Sequence, residues 1–515
     1  MKRLARAVLI GETMMAGAML AACAVGPDFH SPEAPTTKSY TGTPLPPETA
    51  AAPGTGGAAQ RFVTEQEIPA QWWTLFHSEA LDQLIRQALQ ESPTLAAAEA
   101  TLRQSQENLN AQYGAAIFPS VDAKASGSRQ VISGVAVGQP GLKASPFNLY
   151  NASVSVSYAL DLFGGARREL EALQAQVDFQ RFQLEGAHLA LTANIVTTAV
   201  KEASLRAQIR ATQDILAAQE KQLAVVDNQF QLGAVSRPDV LAQQTQLAQT
   251  RATLPPQEKE LAQTRHQLAV LTGKLPSEAA LPEFELERLQ LPQELPISLP
   301  SSLVRQRPDV RASETLLHQA SAQVGVATAN MFPQITLSGS YGSTTDNSHN
   351  LFTSGANVWS FGAALLQPIF HGGELSATRR AAVAAYDQAA AQYRETVLQA
   401  FQNVADVLRA LEADARTLKA QVAAETAAGE ALELTQQQFE VGAVSYLTLL
   451  NAERQYQQTR ISLIQAQATR YADTAALFQA LGGGWWNRDQ QTGTAPVATD
   501  APQPDGAAKN SRKNF

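Results

Sequence analysis

The 515-residue chain holds a single cysteine, Cys23. One thiol excludes a disulfide framework, an iron–sulfur cluster and any zinc site built on several thiolates. Charge is sparse: Asp, Glu, Lys and Arg make up 17% of the residues, where about a quarter is usual. The formal net charge of −8 offers no basic surface to a nucleic acid. After residue 22 there is no run of ~18 apolar residues, so no later helix is expected to cross a bilayer. Gly-x-Ser-x-Gly, His-Glu-x-x-His and a phosphate loop are missing, and the histidines show no ligand spacing. No enzyme chemistry, metal site or cofactor is therefore expected. Ala, Gln, Leu and Thr are abundant, and hydrophobic residues reach 44%. That mixture suits helices that face other helices or a wet lumen.

Residues 1–22 read as a targeting segment. Lys2, Arg3 and Arg6 precede a mostly apolar stretch from Ala7 to Ala22, broken by Glu12. It ends Leu20-Ala21-Ala22-Cys23, which resembles the bacterial lipobox. Cys23 is then the first residue after cleavage and carries a diacylglycerol and a further acyl chain. Several chains anchor stably, because each buried CH2 contributes ~0.8 kcal/mol. An ordinary signal peptide with an incidental cysteine is the alternative. Ala24 stands where inner-membrane retention favours aspartate, which points to the outer membrane. Residues 23–69 are expected to form an extended, lipidated leader, and the polar residues 485–515 a disordered tail.

The body between them is a tandem repeat. Phe230–Arg251 and Phe439–Arg460 agree at ten of 22 positions without gaps. Pro93, Phe118-Pro119 and Leu162-Phe163-Gly164-Gly165 find counterparts in Pro308, Phe332-Pro333 and Ile369-Phe370-His371-Gly372-Gly373. The repeats are set at 70–275 and 301–484, joined by a linker, 276–300, that holds five prolines. Glu283 and Glu285 in that linker read as solvated. Each repeat predicts a helix (94–116, 309–330), a pair of strands, a very long helix without proline (166–231, 374–440) and a return helix (238–271, 447–481). At 1.5 Å per residue each long helix spans ~100 Å. Gly233 and Gly442 mark its end. Pro255-Pro256 predicts a kink or break in the first return helix.

The strand segments alternate. Tyr150, Ala152, Val154, Val156, Tyr158 and Leu160 share one face, and Asn151, Ser153, Ser155 and Ser157 the other. In the second repeat Ile335, Leu337 and Tyr341 alternate with Thr336, Ser338 and Ser340. Loops at 127–146 and 342–356 join each pair. Apolar-out, polar-in alternation with flanking aromatics is the pattern of an outer-membrane barrel. Four strands cannot close one, so a membrane-spanning sheet has to be shared among chains. Two soluble hairpins capping a coiled coil are the alternative.

Cys23-Ala-Val-Gly-Pro-Asp-Phe-His-Ser-Pro32, Trp72-Trp73 with Phe76 and Leu81, Leu254-Pro255-Pro256, Arg307-Pro308-Asp309-Val310 and Leu481-Gly-Gly-Gly-Trp485 occur in an order and spacing that resemble the TolC-like outer membrane efflux factors, within them the NodT-type lipoproteins. The resemblance implies a mixed, mainly α fold. Three chains give four β-strands each to a twelve-stranded barrel, joined to a periplasmic α-helical barrel. It implies the passive exit duct of a tripartite efflux pump for drugs or other small amphiphiles, with a periplasmic adaptor and an inner-membrane transporter as partners. A duct for polypeptide secretion and a structural periplasmic spacer are the other functions considered. By resemblance the turns Gly233–Asp239 and Gly442–Thr448 form the periplasmic aperture and meet the adaptor, with Gly233, Arg237, Asp239, Gly442, Tyr446, Thr448 and Asn451 as its residues. Thr448 and Asn451 stand where members of the family often place pore aspartates. An acidic ring then rests on Asp239 alone, whose other reading is a helix N-terminal acid. Met331 is the only methionine after the targeting segment, which speaks against thioether handling of copper or silver. Trp72-Trp73 is expected in the core.

Overall fold

The computed structural model describes residues 24–133, 135, 138, 140–141 and 145–488. The expected targeting segment 1–22, Cys23 and residues 489–515 lie outside them. Helix α1 spans Glu79–Glu91 and α2 Pro93–Ile117. Strands β2 (Ser120–Val131) and β3 (Pro146–Leu160) follow. Then come α3 (Gly165–Gln231) and its return helix α4 (Arg237–Leu271). The second repeat has α5 (Pro300–Gln306), α6 (Pro308–Ala329), β5 (Gln334–Thr345), β6 (Asn357–Leu366), α7 (Glu374–Glu440) and α8 (Tyr446–Ala480). The two long helices are equal at 67 residues, and the two return helices at 35. β2, β3 and β5 take in residues 127–131, 146 and 342–345, which the sequence reads as loop. The stretches 127–131 and 342–345 each open on Gly-Ser, yet cross-strand pairing continues through them.

α3 packs against α2 and α6 in the half near the strands, and against α4 and α8 in the far half. α7 packs in the same way against α6 and then α8. The shorter helices of one repeat therefore sit end to end beside its long helix. At the first junction a Cβ on Gly273 would lie 2.4 Å from the Glu91 carbonyl oxygen, so only glycine lets α4 end against the start of α2. At the second, Arg307 Nη1 donates to the Ala480 carbonyl at 2.8 Å, tying α6 to the end of α8. Pro255 and Pro256 do not break α4, which is continuous from Arg237 to Leu271. Two intrahelical hydrogen bonds are lost there, and the packing of α4 along α3 holds the helix through the gap.

The core is a belt around the middle of the long helices. There α3 is buried on nearly every side, from Leu191 to Leu205. Trp72 and Trp73 lie in this belt, as expected, on a 3-10 turn; Trp72 stacks on Phe478 with ring centroids 5.3 Å apart. Residues 276–300 are not a bare linker. Phe284, Leu286, Leu289 and Leu295 are buried in the belt, each contributing ~1.5–3 kcal/mol. β4 (Glu294–Ile297) pairs in parallel with β1 (Arg61–Thr64). Glu283 and Glu285 form ion pairs with Arg206 and Arg210 at 3.1 and 3.2 Å. The start of the expected tail is ordered too: Trp485 Nε1 donates to the Gln306 carbonyl at 2.6 Å, and its ring meets Phe182.

The leader is extended, as expected, but its described part is laid along the body as a strap. Val25 N donates to the Phe163 carbonyl at 3.0 Å, and Asp28 pairs with Arg168 at 2.6 Å. Phe29 stacks on His318, and the Tyr40 hydroxyl donates to the Ser298 carbonyl at 3.0 Å. The strap ends in the belt on Arg470, which is fully buried. Its guanidinium donates to the carbonyls of Gly56 (2.9 Å) and Ala58 (2.7 Å) and to Thr49 Oγ1 (2.9 Å). A proline-rich segment makes few internal hydrogen bonds, so its carbonyls are open to such a donor. Burial, and the Asp473 carboxyl bonded to it, push the nearby Asp414 carboxyl up to about 7.

Two outcomes follow for the belt. Arg470→Ala strands several buried oxygens, each costing ~1–3 kcal/mol; the strap should come free, read as rapid proteolysis between residues 49 and 60. Asp414 binds its proton more tightly in the folded chain, so its contribution to stability falls as pH rises from ~4 to ~7. After solvent screening the effect is about 1–2 kcal/mol. The protein should melt higher at pH 5 than at pH 8, and Asp414→Asn should narrow that difference.

Candidate functional site

The strands form one antiparallel sheet in the order β2-β3-β5-β6. Register sets its two faces. Val121 pairs with Val156, Val154 with Tyr341, and Tyr341 with Trp359. Period-2 alternation then gathers Val121, Val154, Val156, Tyr341, Trp359, Phe361 and Leu365 on one face. Every one of them is exposed in the single chain, Trp359 and Phe361 by 76% and 77%. Asp122, Lys124, Ser155, Ser340 and Ser360 fall on the other face. That face is hydrogen-bonded across strands, as in Asn151 Nδ2 to Thr344 Oγ1 at 2.9 Å. Among the described residues neither β2 nor β6 has a strand partner on its outer edge. A contiguous exposed apolar face marks a surface made for lipid or a partner.

The other end is the tip, where α3 turns into α4 and α7 into α8. Gly233 and Gly442 take φ of 78° and 75°. A Cβ at either would meet nothing within 4 Å, so glycine serves the left-handed backbone there and not close approach. Asp239 closes a capping box: its Oδ2 accepts from the Ser236 backbone N–H at 2.9 Å and from Ser236 Oγ at 2.6 Å. In the single chain its carboxylate is thus engaged at the start of α4. The Arg237 guanidinium lies 5.8 Å from the Phe230 ring centroid. Thr448 and Asn451 are exposed, and Ser445 caps α8 by accepting from the Thr448 N–H.

Tyr446 departs from its expected place on the tip surface. It is 5% exposed and packs with Phe439, Leu449, Leu450, Val226 and Val240 in a small core between the two hairpins. Its hydroxyl donates to Gln243 Oε1 of the first hairpin, and Gln243 Nε2 donates to the Gln219 carbonyl at 3.2 Å. Burial raises the Tyr446 pKa, which keeps this donor protonated. Arg454 Nε donates to Gln246 Oε1 at 2.6 Å in a second cross-hairpin bond. Sequence reasoning missed Gln219, Gln243 and Glu453. Glu453 is 7% exposed, and burial pushes its carboxyl up to about 7. Its one visible signal is an acid on the Leu449–Leu450 face of α8, one turn further along.

The site is thus an exposed apolar sheet face at one end and paired helical hairpins at the other, joined by helices ~100 Å long. The model of the outer membrane efflux protein family matches residues 84–274 and 299–483. The chain is similar to the probable efflux pump outer membrane protein TtgC of Pseudomonas putida, 30% identical over 95% of this chain and 97% of that protein. It is 31% identical to the pyoverdine export outer membrane protein OpmQ of Pseudomonas aeruginosa, over 81% of this chain and 87% of the relative. Among solved structures, the outer-membrane channel OprN superposes with a TM-score of 0.80 at 28% identity, covering 90% of this chain and all of that one. The open state of the Neisseria gonorrhoeae channel MtrE gives 0.74 at 27% identity, covering 90% and 99%. The chain belongs to the outer membrane efflux protein family. It is an outer membrane component of an efflux pump.

Tyr446 is the aromatic anchor between the hairpins. Tyr446→Ala should destabilise the tip by ~3–5 kcal/mol, seen as faster amide exchange in 223–243 with the belt unchanged. Tyr446→Phe loses only the bond to Gln243, about 1 kcal/mol.

Proposed function

We propose that three copies of the chain close a twelve-stranded barrel and form a passive exit duct for small amphiphiles, docked at the helical tips to a periplasmic adaptor and an inner-membrane transporter. One observation carries this reading: the sheet has an exposed apolar face and two open edges. In hydrocarbon each unpaired backbone group costs several kcal/mol, and four strands are too few to close on themselves. Pairing β6 of one copy with β2 of the next removes both edges and leaves the Ser- and Thr-lined face on a wet lumen.

The aperture reading places six turns around the far opening, three with Arg237 and Asp239 and three with Thr448 and Asn451. Gly233 and Gly442 shape those turns. Arg237 paired to an acid of a neighbouring copy supplies only ~0.2–1 kcal/mol, weak enough for an adaptor to displace. A lipid on Cys23 fits a strap whose first described residues lie beside Phe163 at the strand–helix junction. Relatives are named for export of pyoverdine, toluene and antibiotics, which supports a broad range of small molecules as cargo. The duct performs no chemistry in this reading and takes no cofactor.

Light scattering in mild detergent should give a trimer, and planar bilayers should show low conductance. Arg237→Glu/Asp239→Lys should raise that conductance, while Thr448→Ala leaves it as it was. A monodisperse monomer with intact sheet by circular dichroism would sink the shared barrel. Unchanged conductance in the double variant would sink the electrostatic gate alone.

A further inference from the structure

A cavity of about 180 Å³ lies between α3, α7 and α8 near the tip, with Asp214 of α3 among its lining residues. Glu453 and Gln219 both line it. Glu453 is 7% exposed and Gln219 2%. Glu453 Oε2, Gln219 Oε1 and Gln219 Nε2 all find no hydrogen-bond partner among the described residues. Native chains seldom leave three such atoms together, because a buried polar atom without a partner is costly. The surrounding cations are turned elsewhere. Arg454 donates to Gln246 on α4, and Arg460, at the cavity mouth, pairs with Glu425 at 3.1 Å. Ile215, Ala218 and Leu432 supply apolar wall.

We propose that this pocket binds a small organic ammonium that also carries a hydroxyl or carbonyl oxygen. The ammonium N–H groups donate to Glu453 Oε2 and Gln219 Oε1. The ligand oxygen accepts from Gln219 Nε2, and the carbon chain between them lies on Ile215 and Leu432. Each atom the protein leaves unpaired then has the partner its chemistry calls for. A neutral alcohol lacks the charge for Glu453. A carboxylic acid would bring a further acidic group against Glu453 and Asp214. The occupant bridges the two hairpins, since α3 belongs to the first and α7 and α8 to the second. Binding should therefore favour the packed tip. The pocket lies within one copy, so the inference does not rest on the proposed trimer or its gate.

The probe is 4-amino-1-butanol, with 1,4-butanediol as its neutral counterpart of the same length. Binding to the full chain in mild detergent is read by saturation-transfer NMR at about pH 8, above the Glu453 titration. Saturable binding of the amino alcohol is expected at concentrations up to about 10 mM, the weak limit for so few ligand atoms. Glu453→Gln keeps the shape of the side chain and should weaken binding at least about tenfold. Gln219→Met, which fills the same space without its polar atoms, is the second variant and should weaken it as well. Circular dichroism and light scattering confirm that each variant is folded. If neither variant folds, the comparison of amino alcohol with diol on the wild type decides. Equal binding of the diol, unchanged binding in folded Glu453→Gln, or no saturable binding of the amino alcohol overturns the proposal.

Discussion

A backbone amide in hydrocarbon has no water to turn to. That constraint governs this chain more than any side chain does. The sheet β2-β3-β5-β6 satisfies its inner ladders within one copy and leaves its two outer edges open. Each repeat supplies one hairpin, and duplication doubles the arc to four strands without closing it. The alternation of Val, Tyr and Trp against Ser, Thr and Asn has meaning only if the two faces meet different media. The family match and the likeness to solved outer membrane channels make this an outer membrane protein, and in the proposed duct the open edges are what make assembly a physical necessity.

Helices of 67 residues create the opposite problem. They are too long for one globular core, and Ala- and Gln-rich faces give little apolar area per turn. Stability is therefore concentrated in the belt, where α1, the 276–300 segment, the strap and the C-terminal turn at Trp485 wrap the middle of α3 and α7 and the C-terminal part of α8. Arg470 sits in that belt as a buried cation held mainly by neutral oxygens of the strap. Such a group is costly unless its donors are all used, so it makes the strap's position specific. Burial and the neighbouring Asp473 carboxyl hold the Asp414 carboxyl above the usual carboxylate range.

The tip has less to hold it. One small apolar cluster and a few side-chain bonds, from Tyr446 to Gln243 and from Arg454 to Gln246, join the hairpins. In the proposed duct, weak cohesion at this end suits an aperture that an adaptor opens. Asp239 is occupied in capping α4, and the tyrosine thought to face the opening is instead the anchor between hairpins. The unpaired atoms of Gln219 and Glu453 lie just above this cluster, where an occupant would touch both repeats.

Much of this was legible in the residues alone. Helix positions followed from proline-free runs bounded by glycine, because a left-handed cap and the lack of N–H on proline are local properties. The strands followed from period-2 alternation, and the duplication from matched landmarks. What misled were the stretches whose structure is set by something distant in sequence. Pro255-Pro256 reads as a break, yet packing along α3 carries α4 through it. The proline-rich 276–300 reads as a linker, yet its leucines fill the belt. The leader reads as extended, and it is, but that it lies along the body depends on Arg470, more than 400 residues away. Tyr446 and Thr448 look alike as tip residues until the helix phase turns one inward. Local backbone preference and hydrophobic period are written in the sequence. Which carbonyl meets which guanidinium, which side of the tip is buried and which buried carboxyl lacks a partner depend on contacts between elements far apart along the chain, and only the tertiary structure brings those together.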